Sequence, residues 1–493
     1  GTLIPADSYL VIARSRTQLL SHYPALSAAL VLGDYSGRLG NKGDRIALAK
    51  PDVLVTTNSQ GKVQTKNILV AQHDVTYAVG GRWGQWSSGG GSSMELIDPD
   101  ADPLQPSSWA DSDETQKAPW TQVSLTDVLE NGNTGFSPTF IHIGMQGMGE
   151  CLVDEVEVFK QGSTNLCLNG NFESTVSAQK WELKGNHSTS TIDTNGNAFS
   201  GNACLHVRSQ GDADTGVNSI RRSLQAGLST GVTATIRARI RWLAGWPQAL
   251  FRVHGNYMAL QAQMTVPTNL GTPGARNSRR IDNAGPAIYE VAHAPAIPRI
   301  GQQVLVTCRA MDPQGVSNLT LHYRFDPVLT YTNVVMADDG QNGDAVAGDG
   351  IYSGYLPARS NAGIVAFYID ALDGAATPAH TAFPASAPVQ ECLVRWGDAV
   401  PFTTYSHYHM WNTAAIEKAR NSSIALDNTY RDMTLVYGNG RIIYNAGFRD
   451  KGSPYHSGAG DYAVTVPADD LLLGVDERIF GSTGNGGAEA SGI

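Results

Sequence analysis

One loop constrains this chain more than any other stretch. Between the apolar run Val334-Val335-Met336 and the strand-like residues 351–356, four Asp (Asp338, Asp339, Asp344, Asp349) and Asn342 are interspersed with four Gly (Gly340, Gly343, Gly348, Gly350). Glycine permits the positive-φ bends that turn such a loop back on itself, so several carboxylates can converge on one point. Converging carboxylates repel one another unless a hard cation neutralises them, and Ca²⁺ takes about 6–8 oxygens from irregular loops of this kind. The spacing does not fit the helix-flanked twelve-residue calcium loop. The same composition also suits a solvated Asx/Gly turn that needs no ion, and both readings stand at this point. In either case the loop belongs to a β-unit.

The rest of the chain agrees with that class. Charged residues make up 16% of it and glycines number 53, a mixture suited to short strands joined by tight turns. At 493 residues the chain exceeds one core, and about 150 residues per unit predicts three or four. The expected architecture is therefore mainly β: serial sandwich and jelly-roll modules, with a partial α+β unit at the C-terminal end. A net charge of −10 argues against a nucleic-acid partner, which requires a basic field. No apolar run approaches the roughly 20 residues of a membrane span. The opening residues Leu3-Ile4-Pro5 already lie inside a patterned segment, so the chain reads as a fragment, and the lack of a leader says little about compartment. The five cysteines (Cys151, Cys167, Cys204, Cys308, Cys392) lack zinc-knuckle spacing. They are either free and buried or partly paired, with Cys308/Cys392 and Cys167/Cys204 as the pairings to consider.

Residues 1–112 carry strand-like runs at Tyr9-Leu10-Val11-Ile12, Ala29-Leu30-Val31-Leu32, Arg45-Ile46-Ala47-Leu48, Asp74-Val75-Thr76-Tyr77 and Met94-Glu95-Leu96-Ile97. Leu3-Ile4-Pro5-Ala6, Ser36-Gly37-Arg38-Leu39, Gly43-Asp44-Arg45-Ile46 and the pair Trp109-Ala110 occur in the order of the lamin-tail domain, which this segment resembles. That resemblance implies an immunoglobulin-like sandwich, here incomplete at its start, and no catalysis. Asp98, Asp100 and Asp102 read either as a second ion loop or as an ordinary turn.

Residues 113–280 contain the strand Leu152-Val153-Asp154-Glu155-Val156 and the block Asn169-Gly170-Asn171-Phe172-Glu173. Together these resemble the galactose-binding-like jelly-rolls that include many carbohydrate-binding modules. There the block opens the domain and the strand closes it; here the order is reversed, so the unit is permuted or composite. The resemblance implies a structural Ca²⁺ at Glu173 and Asp154. In the run 234–242, period-two alternation puts Ala234, Ile236, Ala238, Ile240 and Trp242 on one face and Arg237, Arg239 and Arg241 on the other. Trp242 is thereby a core residue. The arginines are candidates either to pair with acidic residues of a neighbouring strand or to bind an acidic glycan. Trp246 and Tyr257 remain candidate sugar contacts.

Residues 281–397 alternate cleanly at 303–310 and 319–325, run nearly all apolar at 364–369, and contain the acidic loop. This pattern predicts an immunoglobulin or fibronectin III-like sandwich. Asp312 is positioned in a turn that could approach the loop. Residues 398–493 depart from the pattern, with a helix over 414–420 and a hairpin turning at Gly438-Asn439-Gly440. This segment, with the Arg449 to Ser453 block, resembles the first part of the spore-coat-protein-H-like (CotH) kinase domain. The family's catalytic carboxylates fall beyond Ile493, so the resemblance implies at most the start of a phosphate-binding lobe, and the Gly-rich 481–493 is weak evidence for one. His407 and His409 share a strand face and are candidate metal ligands. No G-x-S-x-G, H-E-x-x-H or P-loop motif is present.

These features favour an extracellular or cell-surface structural or adhesive protein, non-catalytic within this span and stabilised by Ca²⁺ at Asp338, Asp339, Asn342, Asp344 and Asp349. Its expected partners are surface proteins, glycans or further copies of itself. The alternatives are the front part of a secreted CotH-like kinase and a carbohydrate-binding module.

Overall fold

The computed structural model describes residues 4, 6, 8–132, 135–162, 164–211, 218–400, 407–422, 427–438, 440–450 and 461–481. Of the stretches singled out above, Leu3, Pro5, Asn439, residues 451–453 and the tail from 482 lie outside the described residues. The chain is mainly β, and among the described residues every strand pairing but one is antiparallel.

The N-terminal part holds three two-stranded sheets. Val11–Ile12 (β1) pairs in parallel with Val31–Leu32 (β2), flanking the helix Arg16–His22 (α1). Gly43–Thr57 (β3) and Val63–Ala78 (β4) form one long hairpin, and Met94–Leu96 (β5) pairs with Trp109–Asp111 (β6). Within 1–112 the described residues pair as these three two-stranded sheets. The residues of β3 and β4 are mostly exposed on both faces, and among the described residues no second sheet covers them.

Ten strands follow: Thr121–Val128 (β7), Phe140–Met145 (β8), Gly149–Lys160 (β9), Glu182–Leu183 (β10), Thr191–Asp193 (β11), Cys204–Ser209 (β12), Ile220–Ser223 (β13), Thr233–Gly245 (β14), Gln248–Val253 (β15) and Met258–Gln263 (β16). They make two five-stranded sheets, β10-β13-β8-β15-β16 and β11-β12-β9-β14-β7. Ile141, Ile143, Phe251 and Val253 from one sheet meet Val153, Val156, Ile236, Ile240 and Trp242 from the other in one core. The strand at 152–156 is central, paired on both sides by β12 and β14. Glu155, at φ +48°, is the extra residue of a bulge against β14. The bulge resets the alternation, so Val153 and Val156 both face the core.

A second sandwich is built from Ala287–Ala294 (β17), Val304–Met311 (β18), Val316–Phe325 (β19), Thr332–Val335 (β20), Ile351–Leu356 (β21), Gly363–Asp373 (β22), His380–Phe383 (β23) and Cys392–Trp396 (β24). One sheet is β17-β18-β21; the other is β20-β19-β22-β23, with β24 also on β22. The C-terminal part adds Tyr408–Trp411 (β25), the helix Ala414–Asn421 (α2), Arg431–Tyr437 (β26), Arg441–Asp450 (β27), Tyr462–Thr465 (β28) and Glu477–Phe480 (β29), the strands forming one sheet in sequence order.

The nearly unbroken apolar run of β22 has a physical reason. Val365, Phe367 and Ile369 face the sandwich core, while Ile364 and Ala366 pack outward with Leu393 against Trp411 and Val436 of the C-terminal sheet. A strand buried on both faces has no polar side to show. Side chains hold the same junction: Thr434 Oγ1 accepts from Leu393 N–H (2.9 Å) and Asp432 from Glu391 N–H (3.2 Å). Burial pushes the Asp432 carboxyl up to about 7. A raised folded-state value makes its stabilising contribution complete below the ordinary 3.8 and lost as pH rises through about 7. Asp432→Asn should therefore gain melting temperature over the wild type progressively across that window and then level off, as scanning calorimetry at stepped pH would show.

Candidate metal centre and ligand faces

The acidic loop connects β20 in one sheet to β21 in the other, so it crosses the open side of the second sandwich. A bridge between Ala337 and Ser353 pins its base. Inside, the carboxylates first close the backbone. Asp338 accepts from the N–H groups of Gly348 (2.6 Å), Asp349 (3.2 Å) and Gly350 (2.9 Å). Asp344 accepts from Gly340 (2.5 Å), and Asp349 from Ile351 (2.9 Å). Gly340, Gly343, Gly348 and Gly350 all take positive φ, as does Asn342 at +51°, which is how so short a segment brings its two ends together.

The folding brings Asp338, Asp344 and Asp349 to one point, each offering an oxygen within 4.8 Å of the others'. Asp339 does not join them; it accepts from Gln341 N–H in a local turn. Asn342 lends its backbone carbonyl to Ser353 Oγ. Arg309 donates to the Asp349 backbone oxygen (3.1 Å) and ion-pairs with Glu290. Like charges at this range repel by about 1 kcal/mol per pair in water and more where half-buried. Three carboxylate oxygens make a partial set of hard donors, which a divalent cation such as Ca²⁺ would have to complete with further oxygens. Asp312 faces elsewhere: its carboxyl is raised first by burial and then by the charges of Asp373 and Asp98.

Asp154 and Glu173 converge on one loop from two elements, and on its backbone. Asp154, fully buried, accepts from Glu155 (2.7 Å), Phe199 (3.0 Å) and Ser200 (3.1 Å) N–H. Glu173 accepts from Asn202 (2.6 Å) and Ala203 (2.8 Å). Gly201 is essential to this approach, since a Cβ there would lie 2.2 Å from Glu173 Oε1. The two carboxylates thus clamp residues 199–203. Burial pushes the Asp154 carboxyl up, against the pull of the three N–H groups. The rest of the Asn169-Gly170-Asn171-Phe172-Glu173 block is structural in the same sense. Asn169 ties Ser174 and Gln179, Gly170 approaches Val156 closer than a side chain would allow, and Phe172 packs on Trp181.

The arginine row lies on the outer face of the β9–β14 sheet, partnered within the chain. Arg237 pairs with Glu157 (2.5 Å) and lies over Phe159 (5.3 Å). Arg239 pairs with Glu155 (3.6 Å) over Phe199. Arg241 is buried and donates to the Ala118 carbonyl (2.7 Å) and Gln116 (3.1 Å). Of the two readings of this row, cross-strand pairing is the geometry present. Trp242 is in the core. Trp246 is half exposed against Gly147, and Tyr257 donates to the Phe136 carbonyl (3.0 Å).

Arg252 and His254, which the sequence suggests as an extension of the arginine row, lie instead on a face of the other sheet. On the outer side of the β13-β8-β15-β16 sheet, the buried His142 stacks beneath the half-buried His254 (4.7 Å), Phe136 and Phe140 flank His254, and Arg221 lies over Phe140 (4.7 Å). Arg252 donates to Asn256, while Gln261 donates to Gln146 (2.9 Å) and Gln248 to Gln263 (2.9 Å) across the strands. The signal was available: alternation in Phe140-Ile141-His142-Ile143 already puts Phe140 and His142 outward.

Elsewhere, Asp98 and Asp102 cap turns, accepting from Asp100 and Leu104 N–H, and Asp98 also from Ala284. His409 has a carboxylate beside it, Asp398 (3.1 Å), to which Trp411 also donates (2.8 Å). All five cysteines are free and buried, and burial pushes the Cys167, Cys204 and Cys308 thiols up to about 12.

No family model matches the chain, and no curated protein matches it either. Among solved structures, a DUF4785 family protein from Legionella pneumophila aligns at 9% identity over 53% of this chain and 61% of its own, with a TM-score of 0.15. A β-1,2-glucanase from Parabacteroides distasonis aligns at 12% identity over 58% of this chain and 32% of its own (TM-score 0.14). A marsupial T cell receptor aligns at 10% identity over 72% and 98% (TM-score 0.15). The chain thus spans about three-fifths of the first of these. At such scores the likenesses carry no argument about function.

The clamp on 199–203 yields a direct test. Asp154→Ala strands three backbone N–H groups and should cost about 3 kcal/mol in urea unfolding, given roughly 1–3 kcal/mol for a buried group left unsatisfied. Limited proteolysis should then cut near Gly201, with or without EDTA.

Proposed function

We propose that this chain is a modular structural or adhesive protein of the cell surface or extracellular space, whose second sandwich is stiffened by Ca²⁺. The observation that carries this reading is the convergence of Asp338, Asp344 and Asp349 on a loop joining two sheets. A cation held there would offset the mutual repulsion of three carboxylates and lock the crossover between the layers. Asp338, Asp344 and Asp349 would supply the carboxylate oxygens, with Asp339 and Asn342 shaping the loop rather than ligating. Its partners would be other surface proteins or glycans. Among the described residues no helix is long and apolar enough to cross a membrane.

The face around His254 favours a second reading, a carbohydrate-binding role for the jelly-roll. Flat aromatic and imidazole rings beside Arg221, Arg252 and a row of glutamine amides combine apolar stacking with polar donors and acceptors, the mixture that fixes a ligand on a surface. A glycan array probed with the intact chain should then give signals that fall with Arg252→Ala, while a blank array with folded protein removes this reading.

For the first reading, Ca²⁺ at a hundredfold excess over its dissociation constant should stabilise the fold by about 2.7 kcal/mol. Thermal melts should show that gain in the wild type and lose it in Asp344→Ala. Identical melts in Ca²⁺ and EDTA would dispose of the metal.

A further inference from the structure

The junction between the second sandwich and the C-terminal sheet contains a cavity of about 250 Å³. Its wall combines Arg324 of β19, Tyr331, Glu391 and Asp432 of β26 with the aliphatic Leu329, Val389 and Ile416. Arg324 and Glu391 are 5% and 7% exposed, and they pair side by side. Arg324 Nε donates to Glu391 Oε1 (2.6 Å) and Nη2 to Oε2. Nη1 donates to Asp326 (3.1 Å), whose other oxygen accepts from Ala414 N–H (2.8 Å) at the start of α2. Tyr331 O–H donates to Glu391 as well (2.6 Å).

The charges around this cavity do not balance. Asp326, Glu391 and Asp432 stand against Arg324, and Arg324 is taken by the first two. Arg431, next to Asp432 in sequence, pairs with Asp427 instead (2.8 Å). Among the described residues the partners of Asp432 are amides: Gln390 Nε2 (3.3 Å) and Glu391 N–H (3.2 Å). A carboxylate removed from water without a counter-charge is costly and holds its proton instead, which is why the Asp432 carboxyl lies so high. A cation seated in the cavity would supply the missing charge.

The rest of the wall says which kind of cation. A hard metal ion takes about six or more oxygens, whereas the Arg324 guanidinium and aliphatic side chains occupy much of this surface. Leu329 and Val389 are 75% and 85% exposed, so apolar surface lies beside the acidic group and asks for a charged head on a hydrocarbon body. The volume falls below the roughly 300–1,000 Å³ of drug-sized sites, so the occupant is small. We propose that this cavity binds a small primary alkylammonium, its N–H groups donating to Asp432 and Glu391 and its chain lying against Leu329, Val389 and Ile416. The site is separate from the acidic loop and from the His254 face and depends on neither.

Isothermal titration calorimetry of the intact chain with n-butylammonium chloride, at a pH above the Asp432 value, tests this. The expected result is saturable one-to-one binding, while n-butanol, with the same chain and no charge, gives none. Asp432→Asn keeps the shape and removes the charge, and thermal melts check that the variant is folded. It should raise the dissociation constant at least about 10-fold, or 1.4 kcal/mol. Leu329→Ala, at an exposed position outside the cores, should weaken binding by a smaller factor, and Asp344→Ala in the acidic loop should leave it unchanged. Absence of binding heat, equal affinity for n-butanol, or a smaller effect of Asp432→Asn than stated overturns the proposal.

Discussion

Carboxylates that accept backbone N–H groups are the interaction on which this fold depends most. A chain of short strands has many loops, and every loop leaves donors outside the sheet ladders that must find an acceptor. Here the acceptors are acidic side chains placed a few residues or many residues away. Glu95 takes Ser278 and Arg279 N–H, Asp111 takes Gln85 and Trp86, Asp373 takes Ala375 and Ala379, and Asp154 and Glu173 share 199–203. Hydrogen bonds to a charged acceptor are the stronger kind, so one residue can hold a crossing that a neutral turn would leave loose.

This use of acid residues explains where the sequence was readable and where it was not. Strand runs were plain because alternation and apolar runs are local: the inward face of β14 and the doubly buried β22 follow from their residues alone. Mainly β architecture was legible for the same reason. What the side chains of Asp and Glu do was not, because a carboxylate destined for a cation and one destined for N–H groups look alike in one dimension. Asp154 and Glu173 accept from backbone amides, and of the loop carboxylates Asp339 turns to a local partner while three converge. The outward arginines likewise needed β9 beside them to show that Glu155 and Glu157 stand opposite.

The N-terminal segment shows how far such local signals reach. The blocks at Ser36-Gly37-Arg38-Leu39 and Gly43-Asp44-Arg45-Ile46 suggested a sandwich, and β3 and β4 do pair as strands. Alternation reports that a strand has two faces; it does not report whether anything lies against either. That depends on segments far along the chain, and here the hairpin stands clear of them.

The five sequestered thiols have a consequence beyond packing. Since each is free and lies in a core, none of the cohesion of the modules derives from covalent cross-links. Reductant has no disulfide to cleave, and oxidant reaches no thiol without first opening a core. Thiol–disulfide poise therefore leaves the architecture unchanged, and its modules are held by burial, strand pairing and carboxylate-tied loops.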